Sequence, residues 1–372
     1  MIRQNEERFS NIELLRIIAM LMIVGGHYAC HGIQKVSVGE GIKYSEYLTG
    51  TTLNKLITSF LLPGGRIGVA LFFMITGYFM ICKNKFTLYK IVLQCFYYSL
   101  FAIALLVVNI YSGGVPYLDI FETTSYLIQA FFTPVTSGAW WFLASYVFLM
   151  LMTSTINEFI NSLNALGRTK LLFLSWVLWY SIPMLFGTIF FQLQRAIFFY
   201  LLGAFFRFKE KNKGQHIGFY IGLTVLGWAL YGISSYYATE RLDSSIISKL
   251  TSILENSFAV PICSYALFKI FLSINIKNNN FINEISATTL GIYLIHESLV
   301  GRNLIWYKII NPLVTQYESR WFLLKALASI FIVFFVCSAM DELRRKFIEP
   351  YYTKWYIRLK ELVIFKYYNE MK

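Results

Sequence analysis

Apolar residues along this chain come in blocks too long for a water-soluble core. Four blocks without Asp, Glu, Lys or Arg, running from Ile91 to Leu118, Thr123 to Asn157, Leu171 to Gln194 and Gly214 to Thr239, each exceed the roughly 20 residues that carry a helix across the hydrocarbon core. Six further apolar stretches, about 12–30, 66–82, 195–208, 252–272, 285–307 and 321–340, have the same pattern interrupted by isolated charges. Backbone inside lipid must satisfy its own N–H and C=O groups, so runs of this kind fold as helices. The pattern predicts an all-α polytopic membrane protein of about ten transmembrane helices, with residues 117–138 holding room for a short or re-entrant eleventh.

Composition agrees: 57% of residues are hydrophobic and 14% charged, against roughly 25% charged in soluble domains. Most of the 33 Lys and Arg fall in the N-terminal segment, in alternate loops and in the tail, whereas residues 111–139 hold none. That asymmetry predicts both termini on the cytoplasmic side, and the apolar run at the N-terminus reads as a first span rather than a cleaved signal. The net charge of +13 then belongs to a surface facing anionic lipid, and nucleic acid is not expected as a partner. Residues 1–340 read as one membrane domain and 341–372 as a basic, aromatic cytoplasmic tail resembling an interfacial helix. No internal repeat is visible. The five cysteines show no CxxC spacing, which argues against a zinc site or disulfide framework.

Charge kept inside apolar spans is costly and marks function by default. Arg16 and His27 stand out, since eleven helical residues advance about 1100° and roughly 16 Å, placing both on one face. Glu13, Arg66, Arg195 and Glu255 lie in or at the rims of spans, as do Arg302, Lys325 and Glu284, and for these last three snorkelling or structural ion pairing is the plainer reading. A guanidinium group offers a permanently charged fork suited to phosphates. His27 has three readings: a hydrogen-bonded core histidine, a metal ligand with His31 at i+4, or a general base that takes the proton of a sugar hydroxyl. No HExxH pattern or third ligand accompanies His27 and His31, so no metal is expected. His296 and Glu297 form a second polar spot, structural or able to orient an imidazole across the bundle. Trp141 reads as cavity lining or as an interfacial belt residue. GxSxG, GxxxxGK and DxD motifs are absent, which removes the usual parts of serine hydrolysis, nucleotide hydrolysis and metal-dependent sugar transfer.

The segment Ser10 to Tyr28, then Gly68-Val69-Ala70-Leu71-Phe72-Phe73-Met74-Ile75-Thr76-Gly77-Tyr78, Trp141-Phe142-Leu143 and Leu290-Gly291-Ile292-Tyr293-Leu294-Ile295-His296 together resemble the membrane acyltransferase 3 family. The sharpest element is an arginine followed after ten residues by a histidine, matched by Arg16 and His27. The resemblance implies a ten-helix bundle in a bacterial plasma membrane. It takes an acyl group, most often acetyl, from acetyl-CoA (acyl-CoA) as donor substrate on the cytoplasmic side. The acceptor is a hydroxyl of a cell-surface polysaccharide or its lipid-linked precursor, and no bound cofactor is implied. His27 would be general base or acyl relay, Arg16 its positioning or phosphate partner. Glu13, Arg66, Lys83, Lys85, Trp141, Arg195, His296 and Glu297 would bind donor or acceptor. The chain departs from the family pattern at Glu13, where Asp is usual, at Thr76-Gly77 in place of Ser-Gly, and at Lys83-x-Lys85 in place of two arginines spaced by two. A transporter or flippase of a lipid-linked sugar is the rival from another class, and it should show an internal duplication.

Overall fold

The computed structural model describes residues 9–34, 47–83, 88–111, 140–182, 191–209, 217–240 and 245–370, with 128 and 135 besides. Every element among these residues is helical. Helix α1, Ser10–His27, runs on through a wider turn, Tyr28–Ile33. Helix α2, Thr52–Leu61, starts at Thr51, whose hydroxyl accepts the Asn54 backbone N–H at 3.2 Å. Helix α3, Pro63–Met80, begins on a proline, which is suited to the first turn because its missing N–H has no partner there. Next come α4, Tyr89–Tyr111; α5, Trp141–Ser162; α6, Ala165–Leu174, extended by Ser175–Ser181; α7, Phe191–Lys209; and α8, Ile217–Glu240. Helix α9, Ser245–Ile253, passes through Leu254–Ala259 into α10, Val260–Ser273.

The remaining chain is α11, Asn280–Ala287; α12, Thr289–His296; α13, Leu299–Asn303; α14, Pro312–Thr315; α15, Phe322–Leu343; and α16, Glu349–Glu370. Residues Arg344–Ile348 carry α15 into α16 without a loop. Among the described residues, seven helical runs are long and apolar enough to cross a membrane: Ser10–Ile33, Thr52–Met80, Tyr89–Val108, Trp141–Ser162, Ile217–Thr239, Lys249–Ser273 and Phe322–Leu362. The protein is therefore an all-α polytopic membrane protein. Two further expected spans are helical where they are described. The block Leu171 to Gln194 is helical from Ala165 to Ser181, and 195–208 lies in α7 with Arg195 and Arg207 among its apolar residues.

The expected span 285–307 is not one helix. It breaks after His296, where Glu297 adopts φ −103° and ψ −4° and Ser298 turns extended at ψ 148°. The physical reason is local. The Ser298 hydroxyl accepts the Gly301 N–H at 3.0 Å, capping a new helix. Irregular backbone at membrane depth is tolerated where protein covers it or a cavity receives it. The expected block Thr123 to Asn157 starts its described helix only at Trp141, and residues 117–138 fall almost wholly outside the described residues.

Small residues let the central helices touch backbone to backbone, as bundles in lipid require. A Cβ on Gly26 of α1 would stand 2.6 Å from the Gly65 nitrogen of α3, and one on Gly68 would strike the Ala19 carbonyl of α1. Gly77 of α3 likewise sits on the Tyr200 carbonyl of α7, and Gly203 of α7 on the Met74 carbonyl of α3. This packed α1–α3–α7 unit is the frame on which the polar residues are held.

Candidate functional site

At the C-terminal end of α1, five polar side chains from the two ends of the chain converge. His27 Nδ1 lies 2.9 Å from His296 Nε2 and 3.1 Å from Glu297 Oε2. His31, one turn further on, places Nε2 3.5 Å from Glu297 Oε1, the oxygen that also accepts from Arg302. His296 and Glu297 are 0% and 2% exposed. The break after His296 explains the geometry: the residue that ends α12 and the residue that follows it both turn toward α1.

The hydrogen bonds assign the tautomers. His296 Nδ1 is 2.5 Å from the Ile292 carbonyl oxygen, which can only accept, so Nδ1 of His296 carries the proton. In the neutral ring its Nε2 is then a lone pair. His27 Nδ1 faces that lone pair and the Glu297 carboxylate, two acceptors, so it must donate. The proton of His27 is thus fixed on Nδ1, and Nε2 is left as the basic nitrogen.

Eleven residues back, Arg16 opens on a different space. Its Nη1 is 3.3 Å from Glu13 Oε2, and Glu13 in turn accepts from the Ser286 hydroxyl. Arg16 lines a cavity of about 160 Å³ with Thr76, Phe142, Tyr146, Thr289, Leu290 and Tyr293 among its walls. The predicted shared face of Arg16 and His27 is present: both look onto α12, Arg16 toward Thr289 and Leu290, His27 toward His296. Between them stand the rings of Phe142 and Tyr293, edge to face with centroids 5.3 Å apart, and Tyr293 lies 6.3 Å from the His296 ring.

Arg66 and Arg195 belong to a third cluster. Arg66 donates to the Asn256 side chain, lies 4.0 Å from Glu255 Oε2 and faces the Tyr231 ring at 5.9 Å. The Arg195 guanidinium stands 5.6 Å from the centroid of Trp141. Tyr180 and Tyr231 are within electrostatic range of both guanidinium groups. The Gly26–Gly65 contact brings this cluster to the same end of the bundle as His27. Lys83 is exposed, its carbonyl accepting from Asn157 Nδ2 at 3.4 Å; Lys85 lies outside the described residues.

Two features escaped sequence reasoning. Arg302 pairs as a structural ion would, but its partner is Glu297 in the middle of the polar cluster, and only the fold shows this. The expectation that no third metal-type ligand accompanies His27 is corrected. Ligand-type atoms of His27, His296 and Glu297 lie within 4.8 Å of one another. Arg302 engages Glu297 Oε1 and the Ile292 carbonyl engages His296 Nδ1, which leaves His27 Nδ1, His296 Nε2 and Glu297 Oε2 facing one another.

A family model described as an acyltransferase domain, Acyl_transf_3, matches residues 9–340, a stretch that takes in α1 to α14, most of α15 and every residue of the three clusters. No curated protein and no solved structure matches the chain. With that match over most of its length, and with the Arg16 and His27 pair placed on one face of a membrane bundle, the chain belongs to the acyltransferase 3 family and is a membrane acyltransferase.

Proposed function

We propose that the protein is an O-acyltransferase, in its simplest form an O-acetyltransferase. It moves an acyl group from cytoplasmic acyl-CoA to a hydroxyl of an extracytoplasmic glycan, a cell-surface polysaccharide or its lipid-linked precursor, in a bacterial plasma membrane. The observation that carries this reading is the His27 ring, whose Nδ1 proton is directed at His296 Nε2 with Glu297 Oε2 3.1 Å away, while Nε2 keeps its lone pair. An imidazole held that way is a general base for an alcohol, an effect worth about 10²- to 10⁴-fold in rate. It is equally placed to accept the acyl group itself and pass it on. Glu297 balances the positive charge that develops on His27 as the proton arrives, and Arg302 keeps Glu297 in place.

The donor fits the other end of the same face. Arg16 offers a charged fork to the phosphates of a coenzyme A thioester, and the cavity it lines leads toward Tyr293 and His296. Arg66, Arg195 and Trp141 are left to the acceptor on the His27 side.

The test is the O-acetyl content of surface glycan in cells carrying wild type, a deletion, His27→Ala and Arg16→Ala, with membrane levels matched. Loss of acetylation in the deletion and in His27→Ala is expected. Unchanged acetylation in the deletion rejects acyl transfer to this glycan, and unchanged acetylation in His27→Ala rejects the role of the histidine.

A further inference from the structure

Three ligand-type atoms at the C-terminal end of α1 face one another in a way that the reading above does not use. His27 Nδ1 lies 2.9 Å from His296 Nε2 and 3.1 Å from Glu297 Oε2, and the ligand-type atoms of the three side chains lie within 4.8 Å of one another. The single Nδ1 proton of His27 is aimed at His296, so Glu297 Oε2 is left buried with no donor directed at it. A buried carboxylate oxygen in that condition is costly, and natural interiors rarely keep one. A divalent cation satisfies all three atoms at once. Two imidazole nitrogens and one carboxylate oxygen make a zinc-type donor set. Tetrahedral bonds of about 2.0–2.2 Å put neighbouring ligand atoms about 3.3–3.5 Å apart, so the two measured spacings need to open by only about half an ångström.

The outer partners of such a site are also in place. His296 gives its Nδ1 proton to the Ile292 carbonyl at 2.5 Å, which turns its Nε2 lone pair toward the other two atoms. Arg302 engages Glu297 Oε1 and leaves Oε2 for an ion. Metal-bound histidines are held by a second bond of this kind. The His27 side chain is 16% exposed, which gives an ion and a water ligand a way in.

We infer that His27 Nδ1, His296 Nε2 and Glu297 Oε2 form a reversible site for a zinc-type divalent cation, with water as the fourth ligand, and that the bound cation switches off the His27 base. The cation site stands on geometry alone; its effect on turnover rests on the general-base reading above. Coordination uses the Nδ1 lone pair, so the ring proton moves from Nδ1 to Nε2 through solvent. Nε2 then has no lone pair, and it can neither take the proton of an attacking hydroxyl nor bond to an acyl carbon. No electron is transferred, and loss of the ion returns the proton to Nδ1. The Arg302 charge beside Glu297 opposes the incoming ion, which makes this a site that fills and empties with ambient zinc. Magnesium does not fit, because it demands octahedral oxygen ligation.

The experiment uses the full-length protein, free of any histidine tag, in lipid nanodiscs and stripped with a chelator. Calorimetric titration with Zn²⁺ should show one tight ion per chain, and Mg²⁺ at the same concentration none. His296→Ala should weaken that binding by about 100-fold or more, beyond the cost of losing an outer partner. The double variant Glu297→Gln, Arg302→Gln removes the two buried charges together and should lose the ion as well, so the test does not depend on His296→Ala folding. Over the concentration range in which the ion binds, Zn²⁺ should abolish acyl transfer by wild type, and EDTA should restore it. Equal zinc binding by wild type and both variants overturns the site. Variant-sensitive binding with unchanged or raised turnover overturns the switch. If turnover is normal and no tight ion binds, the cation site falls while the acyltransfer reading stands. If the ion binds at these residues and no condition gives turnover, the acyltransfer reading falls and the cation site stands.

Discussion

Nδ1 of His27 stands 2.9 Å from Nε2 of His296, across 269 positions of chain. The contact matters because each ring limits what the other can do. His296 is fixed by the Ile292 carbonyl at 2.5 Å, and that fixes where the proton of His27 resides. A residue of this kind acts through its neighbour, so His296→Ala should lower kcat by about 10- to 100-fold, as loss of a partner that orients a functional imidazole does elsewhere. His296→Gln offers a side-chain oxygen in place of Nε2 and should recover part of that loss. O-acetyl release assays on both variants at matched membrane level decide it, and equal defects in the two variants would count against the tautomer argument.

Glu297 carries two burdens that mutation can separate. It receives the charge that forms on His27, and it compensates Arg302, whose side chain is only 14% exposed. Glu297→Gln should abolish turnover and also destabilise the protein by about 3–5 kcal/mol, since a buried guanidinium is left without its counter-ion. The double variant Glu297→Gln, Arg302→Gln should restore the melting temperature and membrane level yet stay inactive. Recovery of activity in the double variant would assign Glu297 a purely structural role.

Much of this was legible in the chain before folding, because the physics that wrote it is local. Long uncharged runs report helices in lipid, and the eleven-residue step from Arg16 to His27 reports a shared face. What stayed hidden depends on contacts between distant segments. Arg302 resembled a snorkelling residue because nothing near it in sequence is acidic except Glu297, and only the break capped by Ser298 aims the two at each other and at α1. The span 285–307 read as continuous for the same reason: hydropathy is blind to a cap inside an apolar run. Gly301 and Ser298 were the available signal, a serine three residues before a glycine in the middle of a proposed span.

Arg16 provides a test of which end receives the donor. Its guanidinium is held by Glu13 at 3.3 Å and is one third exposed to the cavity side. If it binds phosphate, Arg16→Ala should raise the KM for acetyl-CoA by about 10- to 100-fold, the loss of one charge-assisted contact, with a smaller effect on kcat. Arg16→Lys should fall between, because lysine keeps the charge without the fork. Lys83→Ala, at an exposed site beyond α3, should shift the same KM by less. A change confined to acceptor KM in Arg16→Ala would move the donor to another part of the bundle.

The frame beneath the site makes its own demand. Gly77 of α3 presses on the Tyr200 carbonyl of α7, and Gly203 of α7 presses on the Met74 carbonyl of α3, so the two backbones interlock at two points with no room for a methyl group. Neither neighbour can rotate away, because each is a carbonyl inside a helix. Gly77→Ala must push the helices apart, at a cost of about 1–3 kcal/mol by analogy with overpacked cores. Gly222 of α8 is the matched control: a Cβ there meets nothing within 4 Å, and alanine is the better helix former by roughly 1 kcal/mol. Melting of the purified protein, followed by size-exclusion fluorescence, should drop for Gly77→Ala and hold or rise for Gly222→Ala. If both variants melt like wild type, α3 and α7 do not pack through their glycines. The alignment of Arg66 and Arg195, one on each helix, would then need another source.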